Sequence, residues 1–295
     1  MKISVSSYSY HRYLSEGRLD IFGIIRATAE LGFDGIEFSG LRLPEGATDT
    51  AVLAAKVRDA CNQAGLLMAS YTIPADFINP SQGGDWQDEV ERLKGEVDIA
   101  AILGTPCMRH DATRGIEGGD KGLGEFLQVL PIISKGCRAV TEYAADKGIR
   151  TMVENHGFLI QDSDRCAVLY EEISHPNFGW LMDIGNFLCA DEAPLRAVTR
   201  MAPYAIHVHA KDFHIKPGPA DPGDGWFCSR GCTWLRGSII GHGNVDIAGC
   251  IKALKDASYD GFLSIEFEGM EDNLQALKIG LDNLRRYRDN SAQSM

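Results

Sequence analysis

The sequence predicts a single (β/α)₈ TIM barrel, an α/β fold, on three observations. Eight short β-branched or aromatic runs end in polar residues. After each comes a longer stretch whose apolar residues recur at helical spacing. No Pro/Ser-rich linker divides the 295 residues, and one such barrel routinely takes about 250.

The runs are, in order, KISVSSYS (2–9), GIEFS (35–39), LLMASYT (66–72), TPCMRHD (105–111), IRTMVENHG (149–157), FGWLMDIGN (178–186), AIHVHAKD (205–212) and GFLSIEFEG (261–269). The helical stretches lie at 20–32, 49–65, 88–104, 123–148, 164–173, 193–201, 245–257 and 272–289. Several close on Gly before the next run, at 31–32, 64–65, 103–104 and 147–148. Gly suits the left-handed turn that ends a helix. Strands alternating with helices of this length give a parallel sheet with right-handed crossovers. Eight units favour closure, because an open sheet leaves edges to protect. An open doubly wound sheet is the alternative, and the lack of a G-x-G-x-x-G turn after the first strand counts against it. The barrel is expected over residues 1–289, with 290–295 as a frayed tail. Residues 213–244 read as one long Gly/Pro-rich connection, of the kind that often covers a site.

A net charge of -12 argues against a nucleic acid as the main partner, though it leaves room for a local basic pocket. The opening residues lack a basic region followed by an apolar run, and no stretch reaches about 18 apolar residues, so neither a secretory leader nor a membrane span is expected. Eight scattered cysteines fit buried free thiols in a reducing cytoplasm. Cys228 and Cys232 lack a second Cys or His pair with zinc spacing and are read as loop residues.

In a barrel the C-terminal strand ends converge on one mouth, where chemistry takes place. Here those ends carry Glu154-Asn155-His156, Asp183 to Asn186, His207-Val208-His209-Ala210-Lys211-Asp212, and Glu266 with Glu268. Side chains alternate along a strand, so His207 and His209 face one way, as do Glu266 and Glu268. The position nearer the mouth favours His209, while strand eight stays ambiguous. Taken singly, a strand-end Glu or Asp is more often solvated, and a strand His is as often a packed core residue. Four consecutive strands ending in such groups shift the balance, because buried carboxylates without partners are costly. Two glutamates, an aspartate and a histidine suit one divalent metal ion, Mn²⁺, Mg²⁺, Co²⁺ or Zn²⁺. Such an ion stabilises an enediolate while a neighbouring carboxylate takes a proton from carbon.

With VENH, MDIGN, HVHAKD, GHGNVD and LSIEFE in place, the chain resembles the xylose isomerase-like barrels, the sugar phosphate isomerases and epimerases. These include ketose 3-epimerases, inosose isomerases and dehydratases. The resemblance runs from MKISVSSYSY and LGFDGIEF to the last helix. It implies metal ligands Glu154, Asp183, His209 and Glu266, with Glu154 and Glu266 as the acid/base pair on opposite faces of a small sugar-like substrate. Homodimers or homotetramers are common among relatives. The chain departs from the pattern in two places. Asn186 stands where many relatives have a His, and Lys211 and Lys216 are the bases where the epimerases have an Arg.

His110 of MRHD, Asn186 and Lys211 are taken as substrate-binding. His11 is a weaker candidate, and Tyr10, Glu37, Tyr71, Phe77 and Trp226 are read first as packing. Asn244 or Asp246 caps the helix after GHGNVD; a phosphate held at that helix end is the secondary reading. A dehydratase or lyase is the nearest rival to an isomerase or epimerase, since it needs the same enediolate. An endonuclease IV-like phosphodiesterase would need about three metals and a basic crescent, and a non-catalytic barrel would not need the full ligand set.

Overall fold

Runs rich in Val, Ile, Phe and Tyr extend into strands, and the stretches between them, with an apolar stripe, coil into helices that cover those strands. The computed structural model describes residues 1–43, 46 and 48–290. In chain order it has β1 (Lys2–Ser6), α1 (His11–Ser15), α2 (Ile21–Leu31), β2 (Gly35–Ser39), α3 (Thr50–Gln63), β3 (Leu67–Ile73), α4 (Trp86–Leu103), β4 (Cys107–His110), α5 (Leu123–Asp146) and β5 (Arg150–Glu154). There follow α6 (Ser163–Ile173), β6 (Phe178–Asp183), α7 (Pro194–Met201), β7 (Ala205–Ala210), β8 (Asp212–Lys216), β9 (Phe227–Cys228), β10 (Trp234–Ser238), α8 (Ile247–Asp256), β11 (Phe262–Ile265) and α9 (Asn273–Asn290).

Eight parallel strands close in the order β1-β11-β7-β6-β5-β4-β3-β2. β1 pairs with both β2 and β11, so the doubly wound alternative is excluded. All eight predicted strands are present, and β11 is the eighth. Asp side chains cap the N-termini of α2, α3, α4, α6 and α8. Gly32 and Gly104 take the left-handed conformation that ends α2 and α4. The main core lies between strands and helices and includes Ile36, Val57, Leu93, Val97, Ile133, Leu169, Val208, Leu263 and Leu281.

Several boundaries differ from expectation. The run SYSYHRYL does not extend β1; Ser7–Tyr10 form a 3-10 turn that leads into α1. The 213–244 connection is not a plain loop, because β8, β10 and β9 form an antiparallel sheet in that order. Cys228 therefore sits on a strand. All eight cysteines are free, and six of them are buried. Asn290 belongs to α9, and the rest of the predicted tail, 291–295, lies outside the described residues. Among the described residues no helix is long and apolar enough to cross a membrane.

Candidate metal centre

Strand register decides which side chains meet. Asp183 on β6 pairs with His209 on β7, so the two point the same way. Glu154 pairs with Leu181, two residues before Asp183, and so shares that face. Ser264 on β11 pairs with His209. Glu266, two residues further on and bonded through its N–H to the Ala210 carbonyl, faces the same way. The result is convergence at the mouth: Glu154, Asp183, His209 and Glu266 each offer a ligand atom within 4.8 Å of the others, all four residues buried.

His209 Nδ1 lies 3.5 Å from Glu154 Oε1, 3.5 Å from Glu266 Oε1 and 3.8 Å from Asp183 Oδ2. Neither this nitrogen nor Asp183 Oδ2 has a hydrogen-bond partner, although both are buried. Lys211 Nζ stands 3.1 Å from Asp183 Oδ2, out of line for a hydrogen bond. Buried orphan atoms of this kind are costly, and one divalent cation among three carboxylates and an imidazole satisfies both. The donor set fits the expected ion.

Around this centre the polar contacts are dense. Lys211 Nζ reaches Glu266 Oε2 at 2.6 Å, Asn186 Oδ1 at 3.3 Å and Glu268 Oε1 at 3.4 Å. Asn186 donates its side-chain amide to Glu154 Oε1 at 3.3 Å and its backbone N–H to Asp183 Oδ1 at 2.9 Å. Asn186 and Lys211, two of the expected substrate contacts, therefore border the ligand cluster.

His110, the third, is not brought there. Arg109 pairs with Met152, two residues before Glu154, so Arg109 takes the inward place and His110 points outward. His110 is fully buried, edge-on to Phe77, with Nδ1 at 2.8 Å from the Asp111 carbonyl. Burial pushes its imidazole down to about 4. Arg109 borders the cluster although nothing in the sequence singles it out. Its guanidinium lies 3.1 Å from Glu154 Oε2 and 2.8 Å from Asp111 Oδ1, and Asp111 in turn holds His156 Nε2 at 2.5 Å. The His156 side chain remains 37% exposed. Glu37, a packing residue on the sequence alone, is a second such residue. It is fully buried, with one oxygen 2.7 Å from His207 Nε2 and both oxygens 3.0 Å from His209 Nε2.

Tyr10, Tyr71 and Phe77 do pack, against Thr28, Glu96 and Gly136 respectively. Trp226 lies under the Arg236 guanidinium, next to the β8–β10–β9 sheet. The GHGNVD turn wraps an anion of its own. Asp212 accepts from the N–H groups of Phe213, Gly241, Gly243 and Val245 at 2.9 to 3.1 Å. Those amides, all of which precede α8, are committed to this carboxylate. Asp246 is the cap of α8, while the Asn244 side chain accepts from Ile215 N–H.

Charge in the centre is strongly coupled. Burial, aided by Glu154 and Glu266 and opposed by Lys211, pushes Asp183 up to about 7. Burial also works to raise Glu266, but Lys211 and His209 outweigh it and hold that carboxyl well below its usual range. For Glu154 burial is outweighed chiefly by Arg109, and the net shift is downward. His209 is lowered by burial yet raised well above its ordinary value by Glu37, Glu266 and Glu154. Protons and ammonium thus hold together a set of groups that a cation would otherwise hold.

The family model described as "Xylose isomerase-like TIM barrel" matches residues 25–287. An inosose dehydratase of Clostridium perfringens (strain 13 / Type A) is 23% identical over 137 residues, 46% of each chain. The match thus spans less than half the length of that curated relative. A xylose isomerase-like TIM barrel protein from Mycobacterium smegmatis, solved in complex with magnesium, superposes with a TM-score of 0.73 at 16% identity, covering 98% of this chain and 97% of that one. An L-ribulose 3-epimerase gives a TM-score of 0.71 at 17% identity, covering 99% and 96%. At such identities the two superpositions establish a shared fold.

Proposed function

The chain belongs to the xylose isomerase-like TIM barrel family, and from that premise we propose that it is a divalent-metal-dependent isomerase or epimerase of a small keto-sugar, ketose or keto-inositol. The observation that carries this reading is the meeting of Glu154, Asp183, His209 and Glu266 around two buried atoms without hydrogen-bond partners. These four residues would hold the ion, Mn²⁺, Mg²⁺, Co²⁺ or Zn²⁺, and the ion would polarise a carbonyl and its neighbouring hydroxyl. Glu154 and Glu266 are the acid/base pair. One removes the proton from the carbon beside the carbonyl, leaving an enediolate. The proton then returns to the adjacent carbon in an isomerase, or to the opposite face of the same carbon in an epimerase. Asn186 and Lys211 grip substrate hydroxyls, and Arg109 orients Glu154 through its 3.1 Å contact.

Dehydration is the second reading, favoured by the Asp111–His156 pair and by the inosose dehydratase relative. Partial burial lowers the His156 pKa, but Asp111 outweighs it and raises the imidazole above its ordinary value. A half-exposed imidazolium is suited to protonate a departing β-hydroxyl, which leaves as water. We place the enzyme in the cytoplasm, in keeping with its free thiols, as a homodimer or homotetramer without nucleic-acid or membrane partners.

The test is incubation of chelated and Mn²⁺-loaded protein with a panel of ketoses and keto-inositols in D₂O. Metal-dependent deuterium in an intact carbon skeleton supports isomerisation or epimerisation, and loss of one water supports dehydration. Neither product from any polyhydroxyketone would overturn the proposal.

A further inference from the structure

We propose that Glu37 is the positioning residue of the metal centre: its buried carboxylate accepts the His209 Nε2–H and so commits Nδ1 to the cation. The inference rests on the metal-dependent reading above.

Glu37 reaches His209 across the barrel interior. It sits on β2, and two strands, β1 and β11, separate β2 from β7. At the inward positions of those two strands the chain places serines: Ser6 opposite Glu37, Ser4 opposite Ser264, and Ser264 opposite His209. These small side chains leave room for a carboxylate and two imidazole rings. The layers then run from His207 through Glu37 and His209 to Glu154, Asp183 and Glu266. Both Glu37 oxygens are 3.0 Å from His209 Nε2, and Nδ1 is the nitrogen turned toward the three carboxylates.

A buried histidine–carboxylate–histidine set is a poor device for stability, since well-packed apolar residues of similar volume usually serve as well or better. It does fix a metal-binding imidazole. A carboxylate on the far nitrogen sets the tautomer and ring orientation and strengthens the ligand. Each nitrogen of His209 thus has one task.

The experiment has two arms. Zn²⁺ binding is measured by calorimetry for the wild-type chain, Glu37→Gln and Glu37→Leu. Long-range ¹H–¹⁵N spectra of the Zn²⁺-loaded wild type, with His209 assigned by its loss in His209→Asn, identify the ligating nitrogen. We expect Zn²⁺ coordinated at Nδ1 with a slowly exchanging Nε2–H. Affinity should fall by roughly 100-fold in Glu37→Leu and by about 10-fold in Glu37→Gln, which keeps an acceptor oxygen. A purely structural Glu37 would lower the melting temperature of the variants and leave the Zn²⁺ constant of the folded protein unmoved. Zn²⁺ ligated through Nε2, or Glu37→Leu binding Zn²⁺ as tightly as wild type, overturns the proposal. The spectra need no variant of Glu37 to fold. Asp183→Asn separates the two claims: if it loses Zn²⁺ while Glu37→Leu retains it, only the role of Glu37 fails. Wild type that takes up no Zn²⁺ sinks the metal reading as well.

Discussion

A divalent cation entering between Glu154, Asp183, His209 and Glu266 has to displace protons, and the site fixes how many. Glu154 and Glu266 are held below their ordinary values and are already ionised at neutral pH. Asp183 is raised to about 7 and His209 well above its ordinary value. The ion therefore displaces the proton that His209 carries and, below about pH 7, a second one from Asp183, so affinity rises with pH and most steeply below about pH 7. Calorimetric titration with Mn²⁺ in two buffers of different protonation enthalpy counts these protons directly. The expected count is larger near pH 6 than near pH 8, because Asp183 adds its proton only at the lower pH. Affinity that does not change with pH, or release of less than about half a proton near pH 6, would refute the coupling. The same shifts set the stability of chelated protein. Asp183 and His209 are raised, so their contributions are complete below their unfolded values, roughly 3.9 and 6.5, and are lost as pH rises through the folded ones. Glu154 and Glu266 are lowered, so theirs are present above about 4.3 and lost as pH falls. Chelated protein should thus melt lower at about pH 8 than at about pH 6, with Mn²⁺ restoring more at the higher pH.

Three further outcomes follow from single side chains. Arg109→Met removes the guanidinium that holds Glu154 down, so the acidic limb of the pH–rate profile moves to higher pH and turnover falls by about 10²-fold; an unmoved limb would remove Arg109 from the mechanism. His110→Gln should cost about 1–2 kcal/mol in thermal unfolding and leave kcat/KM unchanged, because His110 faces away from the mouth; loss of turnover at full stability would reverse that assignment. Asp212→Ala strips the acceptor from four backbone N–H groups and should cost about 2–4 kcal/mol, with new protease cleavage within 213–244. Resistance to cleavage equal to wild type would show that Asp212 does not hold that segment.

Much of this was legible in the residues, and the remainder has identifiable physical causes. The strand–helix alternation predicted the barrel because parallel strands and their covering helices leave strong local periods. The ligand set could be read because β5 and β6 end in a liganding residue, β7 carries His209 next to its last residue, and Glu266 follows β11. Arg109 carries no signal of its own in the sequence, because the four residues of β4 show no clear apolar alternation and only pairing with β3 and β5 fixes the phase. Glu37 looked like a packing residue since its partners lie 170 and 172 positions away. Its one local signal was an acidic residue in the otherwise apolar run GIEF. The β8–β10–β9 sheet leaves little trace in the sequence because β9 is only two residues long and its pairing is set by contacts, not by pattern.

Anomalous diffraction from crystals grown with Mn²⁺ tests the central claim most directly. The account predicts one strong peak about 2.0–2.3 Å from carboxylate oxygens of Glu154, Asp183 and Glu266 and from His209 Nδ1. A map without a peak there, or with Mn²⁺ bound only by other residues, would contradict it.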